Sequence, residues 1–297
     1  MINYSIIIPH RNTPELLREC ISSIPNREDL QIIIVDDNSD SSIVDFNNFP
    51  GVLRKNMDIV YSKRGKGAGA ARNEGLKLVK GRWVLFADAD DTYTNVFNCF
   101  LDDYIENPAD VLYFKSNVVN VDVKNKKPHS RLNYYIDQYL SNKGNIDDVK
   151  YGAWEPWNKM IKMDLIRHNN LSFDEIPKAN DKMFSLRVGE CAKITCVSDI
   201  CVYNYHLRKG SVINSAQTQD KIEASISSCI NQNILYKRVG YKRKAFIPYI
   251  FIMNVGKYRG CIVKSYIKYL YHYRANPFEG FFSGFLYAFY IFRMNHR

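Results

Sequence analysis

Arg82-Trp-Val-Leu-Phe-Ala-Asp88-Ala-Asp90-Asp91 sets three carboxylates within four residues at the end of an apolar run. Trp83–Ala87 reads as a buried strand, and the acidic triplet falls at its carboxyl end. Like charges this close repel, so a fold that keeps them has a use for them. A divalent cation with a phosphate behind it is the usual use. Mn²⁺ and Mg²⁺ prefer carboxylate oxygens and keep positions open for phosphate. If the chain stays extended through Asp-x-Asp, Asp88 and Asp90 point the same way and converge on one site. A solvated turn, or an N-cap at Asp91-Thr92, would account for the same residues without a cation.

The neighbouring segments supply a frame for that strand. Ser5–Ile8 is an apolar run ending at Pro9, and Gln31–Val35 is a second run stopped by Asp36-Asp37-Asn38-Ser39-Asp40. Both read as buried strands, with Ile59–Tyr61 as a third. Between them Pro14 fits the first turn of a helix capped by Thr13. Ala70–Val79 and Asn95–Ile105 are helix-prone. Strand alternating with helix over some 90 residues predicts an α/β layer with a mostly parallel sheet. Ligands of such sheets bind beyond the carboxyl ends of the strands, and the loops 9–12, 36–40 and 88–91 all fall there. Further on, Val111–Phe114 and Val118–Val123 read as strands, Lys124–Pro128 as a turn, 154–170 and 180–190 as helices, 194–205 as a strand or hairpin, and helix resumes near 220.

The bulk numbers divide the chain. Of 297 residues 46% are apolar, ample for a core, and the net charge is +10. Residues 1–220 hold 28 basic against 29 acidic side chains. Residues 221–297 hold 13 against 2, a net +11, together with 18 of the 37 Phe and Tyr. A neutral body that does chemistry and a basic, aromatic tail that meets something anionic follow from this split. The seven scattered cysteines include no Cys-x-x-Cys pair, which favours neither zinc nor a disulfide framework. The opening Met1–Pro9 does not resemble a signal peptide, and no apolar run approaches the roughly 18 residues of a membrane span.

Gly65-Lys-Gly-Ala-Gly-Ala-Ala-Arg72-Asn73 joins a Gly-rich loop to a helix start, where free N–H groups favour an anion and Arg72 adds a planar donor fork. It matches neither the dinucleotide fingerprint nor a P-loop. A flexible connection with a surface arginine would also account for it. The loop 36–40 offers carboxylates to a base or ribose, although Asp, Asn and Ser are ordinary turn formers too.

Four blocks then occur in a telling order: Ser5-Ile-Ile-Ile-Pro9-His-Arg-Asn12, Ile34-Val-Asp36-Asp37-Asn-Ser39-Asp40, Gly69-Ala-Ala-Arg72-Asn73-Glu-Gly75 and Leu85-Phe-Ala-Asp88-Ala-Asp90-Asp91. Together they strongly resemble the family-2 glycosyltransferases of the GT-A fold. The resemblance is close over residues 3–105 and looser through Trp157-Asn-Lys159, Phe173, Asn180-Asp181 and Tyr205 to Ser211. It implies a Rossmann-like, mixed, mostly parallel sheet flanked by helices. Residues 1–218 would form the catalytic domain, with 1–105 for the nucleotide-sugar and 106–218 for acceptor and base. Residues 219–297 would be a helical C-terminal extension that associates with membrane.

The same resemblance implies roles. Pro9, His10, Arg11, Asn12 and Asp37 would hold the nucleobase, normally uracil. Many members carry an aromatic where Arg11 stands, and a guanidinium plane can stack as well. Arg72 would lie beside base and ribose, Asp88 would contact the ribose or metal, and Asp90 would bind the Mn²⁺ or Mg²⁺ that bridges the diphosphate, with Asp91 adjacent. His206 and Arg208, with Ser211, would close over the diphosphate. The family's later motif pairs an acid with an aspartate base; here Asn180 stands for the first and Asp181 keeps the second. Glu155 and Asp174 are alternative bases. Such chemistry needs leaving-group stabilisation and a general base on the opposite face, and in-line displacement would invert the anomeric centre. Trp154 and Trp157 suit a sugar acceptor, with a core role open to Trp157. No Gln-x-x-Arg-Trp motif of processive synthases occurs, so one-step transfer is expected.

In the tail, Ile262, Tyr266, Tyr269 and Tyr273 recur at helical spacing among Lys257, Arg259, Lys264, Lys268 and Arg274, before the nearly all-apolar run Phe281–Phe292. This suits an interfacial helix on anionic lipid, or a helix docked on the body. The expectation is a cytoplasmic enzyme, peripheral on the inner membrane face, that moves a sugar from a nucleotide-sugar donor to a glycan or lipid-linked acceptor and binds no nucleic acid. A nucleotide-sugar-binding protein that has lost catalysis is the alternative that Asn180 invites. A basic nucleic-acid binder using the aromatic tail fits poorly with the neutral body and acidic cluster.

Overall fold

The structure, a computed structural model, describes residues 1–120, 130–208 and 218–243. The expected turn at 124–128, Ser211 and the expected tail helix and apolar run over 256–292 lie outside these residues.

One eight-stranded sheet organises the fold. Its strands are β1 (Tyr4–His10), β2 (Leu30–Asp37), β3 (Met57–Ser62), β4 (Trp83–Phe86), β5 (Thr92–Tyr93), β6 (Val111–Asn120), β7 (Lys159–Lys162) and β8 (Thr195–Leu207), in the order β3-β2-β1-β4-β7-β6-β8-β5. Strands β3, β2, β1 and β4 are parallel. β7 runs antiparallel between β4 and β6, and β8 is parallel to β6. Six strands therefore point the same way, and their carboxyl ends share one edge. The start of β7 falls on that edge too, because β7 runs the opposite way.

The helices are α1 (Pro14–Ser23), α2 (Ala68–Leu76), α3 (Phe97–Tyr104), α4 (Arg131–Leu140), α5 (Ile146–Gly152), α6 (Met163–His168), α7 (Lys182–Cys191) and α8 (Gln219–Arg238), with a 3₁₀ turn at Pro156–Asn158. Two apolar clusters sandwich the sheet. Ile6, Ile8, Ile32, Ile34 and Leu85 join Leu17 and Cys20 of α1 on one face. Ile7, Ile33, Val35, Val84 and Phe86 join Ala71 and Leu76 of α2 and Phe184 and Val188 of α7 on the other. Strands covered on both faces carry continuous apolar runs rather than alternation, which is why β1, β2 and β4 were legible.

The same physics corrects the first half of the expected helix over 154–170, of which only Met163–His168 is α-helix. Pro156 opens only a short 3₁₀ turn, and 159–162 is a strand wedged between β4 and β6. Met160 and Ile161 are both fully buried, one on each face, so the period of two is invisible in sequence. The separate strands at 111 and 118 are one strand with a register shift near Lys115, and 194–205 belongs to a single strand. Thr13 precedes α1 but its side chain makes no cap bond. α8 packs on the body: the Tyr236 hydroxyl donates to the Tyr151 carbonyl at 2.5 Å, and Leu235 and Tyr236 cluster with Met183 and Leu186 of α7.

Candidate active site

The two first loops of the carboxyl edge are laced together. His10 and Asp36 are register partners on β1 and β2, and His10 Nδ1 meets Asp36 Oδ2 at 2.8 Å. His10 Nε2 accepts the Thr13 N–H at 3.2 Å, so the proton sits on Nδ1 and the imidazole is neutral. With 2% exposure and both nitrogens engaged, His10 braces the loop and its ring offers nothing to a nucleobase. Burial alone would raise the Asp36 carboxyl, but hydrogen bonds from His10 and from the hydroxyl and N–H of Ser39 hold it below the usual carboxylate range. The Asn12 N–H donates to Ser39 Oγ and Asn12 Oδ1 accepts the Asp40 N–H. Asn12 and Asn38 both take positive φ, 56° and 59°, a conformation asparagine tolerates. Pro9 is half-buried and Arg11 exposed beside them.

Asp37 is buried and organises the Gly-rich loop. Its Oδ1 accepts the Lys66 N–H at 3.1 Å and its Oδ2 the Gly67 N–H at 2.6 Å, just ahead of α2. The helix then packs closely because two glycines allow it. A Cβ on Gly69 would lie 2.4 Å from the Asp174 carbonyl, and one on Gly75 2.6 Å from Ile7. Asn73 clasps the backbone of Phe173 on both sides, accepting its N–H and donating to its carbonyl. This approach carries Arg72 into the centre. Arg72 Nη2 reaches Asp88 Oδ1 at 2.5 Å, Nη1 reaches Asn180 Oδ1 at 3.1 Å, and the guanidinium lies 5.3 Å from the Phe173 ring.

The acidic triplet is a turn, not an extended run: the Asp91 N–H donates to the Asp88 carbonyl. The turn brings ligand oxygens of Asp88, Asp90 and Asp91 within 4.8 Å of one another. The three are not equivalent. Asp91, 1% exposed, accepts from the Tyr203 hydroxyl at 2.9 Å and the His206 N–H at 2.8 Å. Burial and then the charges of Asp88 and Asp90 push it up to about 9 despite those bonds, so it is protonated at neutral pH. Tyr203 also accepts the Asp88 N–H and so pins both ends of the turn. Burial, opposed by Arg72, raises Asp88. Asp90 is partly exposed and takes both Nε and Nη2 of Arg208, at 2.9 and 2.7 Å. The His206 ring meets the Thr92 hydroxyl at 3.0 Å. An oxygen-only set with two half-exposed carboxylates fits a hard divalent cation on Asp88 and Asp90. Asp91 is committed to the protein.

Asp181 stands at the start of α7, next to the Asn180 that Arg72 holds, and its side chain makes no cap bond. Ala179 takes φ 58° just before it, a strained conformation for alanine. Burial first, then Glu155 and Asp88, raise the Asp181 carboxyl against Arg72. Of the alternative bases, Glu155 lies in electrostatic reach of Asp181 and leaves Oε2 buried without a partner. Asp174 is raised by burial. Trp157 lies flat along Tyr203 and Tyr205, at 4.9 and 5.4 Å, and is 7% exposed. That is a core stack, and it leaves Trp154, half-buried between Arg131 and Lys182, as the tryptophan able to meet an acceptor. Tyr203, Asn73 and Ser39 escaped sequence reasoning. Tyr203 acts on residues more than 110 positions away, and no local pattern signals that.

A sheet that gathers a base-type loop pair, an arginine and an acidic turn on one edge is the GT-A arrangement of nucleotide-sugar-dependent transferases. The sequence profile of glycosyl transferase family 2 matches residues 5–168, more than half of the chain, and the chain belongs to that family. It is 29% identical over 212 residues to a poly(ribitol-phosphate) beta-glucosyltransferase of Bacillus spizizenii, covering 69% of this chain and 32% of that one. It is 26% identical over 235 residues to the poly(ribitol-phosphate) beta-N-acetylglucosaminyltransferase TarS of Staphylococcus aureus, covering 73% and 38%. The chain thus spans about a third of the length of these relatives. Among solved structures, S. aureus TarS residues 1–349 in complex with UDP-GlcNAc shares the fold, with TM-score 0.64 and 21% identity over 79% of this chain and 66% of that chain.

Proposed function

We propose that this chain transfers a sugar from a UDP-sugar to a hydroxyl of a polyol-phosphate or glycan acceptor in surface polymer synthesis, in one step and with inversion. The observation that carries the reading is Arg72, which ties the half-exposed Asp88 of the acidic turn to the segment bearing Asp181. The names of the relatives favour a phosphate-bearing polyol as acceptor.

Pro9, Arg11, Asn12 and Asp37 shape the base pocket, with His10 and Asp36 as its brace. Asp90 and Asp88 would hold Mn²⁺ or Mg²⁺, which would supply positive charge to the departing diphosphate. Arg208 holds Asp90 in this structure, and beside His206 its donor fork would serve the diphosphate. Asp181 takes the proton of the acceptor hydroxyl as the oxygen attacks the anomeric carbon from the face opposite the leaving group. Its raised carboxyl, half-buried and in electrostatic reach of Glu155, moves basicity toward the working pH. The chain acts at the cytoplasmic membrane face, with the basic tail on lipid. No helix among the described residues is long and apolar enough to cross a membrane.

Titration of a UDP-sugar panel with and without Mn²⁺ tests the donor half. UDP-sugar binding is expected to strengthen with Mn²⁺ and to lose that gain in Asp90→Ala. Asp181→Asn is expected to abolish transfer while sparing donor affinity; unchanged turnover in that variant would remove Asp181 as the base. Asn180 also admits a protein that binds donor without turnover, and tight Mn²⁺-dependent binding with no transfer to any acceptor would favour it.

A further inference from the structure

β7 opens with a buried cation. Lys159 is 1% exposed and is the register partner of Tyr113 on β6. Its ammonium lies 5.3 Å from the Tyr113 ring. Among the described residues that ammonium makes no hydrogen bond and no salt bridge. Tyr113 belongs to the apolar cluster that also holds Phe184 and Val188 of α7. Register partners share a face of the sheet, so Lys159 points to the face that α7 covers. Asp181 precedes the first residue of that helix. Lys182 and Gly189, two turns apart on one side of α7, lie along the chain that leads into β7. Lys182 Nζ is 4.8 Å from the Trp154 ring centroid, and a Cβ on Gly189 would lie 3.0 Å from the Lys150 carbonyl. Glu155 follows Trp154, with Oε2 buried and without a hydrogen-bond partner. Asp181, Glu155 and Lys159 therefore converge, each within electrostatic reach of the other two.

Folding gains little from this lysine. A buried ammonium with no carboxylate bonded to it costs stability, and an apolar side chain of similar length would not. A charge kept at that cost points to work at the site. The base needs such a charge. Burial first, then Glu155 and Asp88, raise the Asp181 carboxyl, and Arg72 opposes them. Arg72 is already divided between Asp88 and Asn180. Lys182 gives its hydrogen bonds to Gln232 and Cys229 of α8. Burial lowers the Lys159 ammonium to about 8, against Glu155 and Asp181, which raise it, so it still carries its charge at neutral pH.

We propose that Lys159 is a positioning residue for transfer, its buried ammonium supplying the positive charge against which the Glu155–Asp181 pair is held with Asp181 as a bare carboxylate. This rests on the reading of Asp181 as the base. A protonated Asp181 cannot take the proton of the acceptor hydroxyl. Lys159 touches neither donor nor acceptor and acts through Asp181 alone.

The test uses the whole chain with Mg²⁺, carrying ¹³C at its aspartate carboxyls. The Asp181 signal is the one that Asp181→Asn removes. In Lys159→Met its titration midpoint is expected about one pH unit above wild type, and in Glu155→Gln about one unit below. Repacking of the core has no reason to move the midpoint in opposite directions. Lys159→Gln, polar but uncharged, is expected to match Lys159→Met, and it carries the test if the methionine variant does not fold. The acid limb of kcat/KM for UDP release from UDP-GlcNAc, with a ribitol-phosphate oligomer as acceptor, is expected to follow the midpoint, with UDP–Mg²⁺ affinity as in wild type. A midpoint unchanged or lowered in the Lys159 variants overturns the proposal. So does an acid limb that stays in place while the midpoint moves. Turnover retained in Asp181→Asn, or no UDP release by wild type, strikes the transferase reading instead, and is scored separately from the midpoints.

Discussion

Arg208 and Asp90 form the most exposed contact of the acidic turn, two donors on one oxygen with each side chain about a quarter exposed. A cation arriving at Asp90 competes with that guanidinium for the carboxylate, and pairs this exposed are worth about 1 kcal/mol or less. Arg208→Gln is therefore expected to bind free Mn²⁺ more tightly, by up to roughly fivefold, while binding UDP–Mn²⁺ more weakly, because the fork proposed for the diphosphate is gone. Mn²⁺ titration followed by electron paramagnetic resonance reads the first and calorimetry with UDP the second. Equal Mn²⁺ affinity in both proteins would mean that Arg208 does not guard Asp90. Lys159 is the second revealing residue. It is 1% exposed at the start of β7, 5.3 Å from the Tyr113 ring. Burial lowers its ammonium to about 8, against the charges of Glu155 and Asp181 that raise it. Between that value and the 10.5 of an unshifted lysine, the unfolded chain holds a proton the folded one lacks, so stability rises with pH through that window. Lys159→Met is expected to remove this rise and, at pH 7, to stabilise the fold by about 1–3 kcal/mol. Urea unfolding at pH 7 and 10 checks both. A variant as pH-dependent as wild type would show that Lys159 titrates normally.

At the scale of elements, α2 does more than present Arg72. Gly69 and Gly75 let the helix lie against the 174–180 segment and β1, and Asn73 holds the Phe173 backbone. The three residues therefore set the distance between the acidic turn and Asp181. Gly69→Ala would place a methyl 2.4 Å from the Asp174 carbonyl and 2.9 Å from Asn180 Cβ, and backbone must move. The expected cost is about 1–3 kcal/mol of stability, together with a fall in transfer larger than the fall in donor affinity. Denaturant melts and separate UDP titration distinguish the two effects. A destabilised but fully active variant would show that this spacing does not govern the chemistry. The four ordered blocks were readable because each joins a doubly buried strand to a polar loop, and that contrast survives in sequence. β7 was not readable: Met160 and Ile161 are buried on opposite faces, so its four residues lack alternation, and its place between β4 and β6 depends on partners some 50–80 residues away. The carboxylates of the site were legible as types. Their inequality was not, because Asp91 becomes a buried support only where Tyr203 and the His206 backbone, more than 110 residues on, close over it.

Charge divides the whole molecule. Residues 1–220 are nearly neutral, whereas 221–297 carry a net +11. Part of that excess belongs to α8, which packs on the catalytic body. Five cations, Lys257, Arg259, Lys264, Lys268 and Arg274, remain in the stretch 256–275 with five tyrosines. A surface of anionic lipid attracts each such charge by about 1 kcal/mol within a Debye length, which is about 10 Å at 0.1 M salt. Aromatic side chains add affinity at headgroup depth. Five charges acting together suffice to hold the chain on phosphatidylglycerol vesicles at low ionic strength, and screening should release much of it by about 1 M salt, where the Debye length falls to about 3 Å. The full chain is expected to sediment with such vesicles and to stay in solution with phosphatidylcholine. Replacing the five cations by glutamine should abolish sedimentation while leaving UDP–Mn²⁺ affinity intact, because the residues proposed for the donor all lie before residue 209. Equal sedimentation with neutral vesicles would assign the aromatic residues, not the charges, to the contact. Sedimentation with neither would leave the tail a part of the protein's own packing.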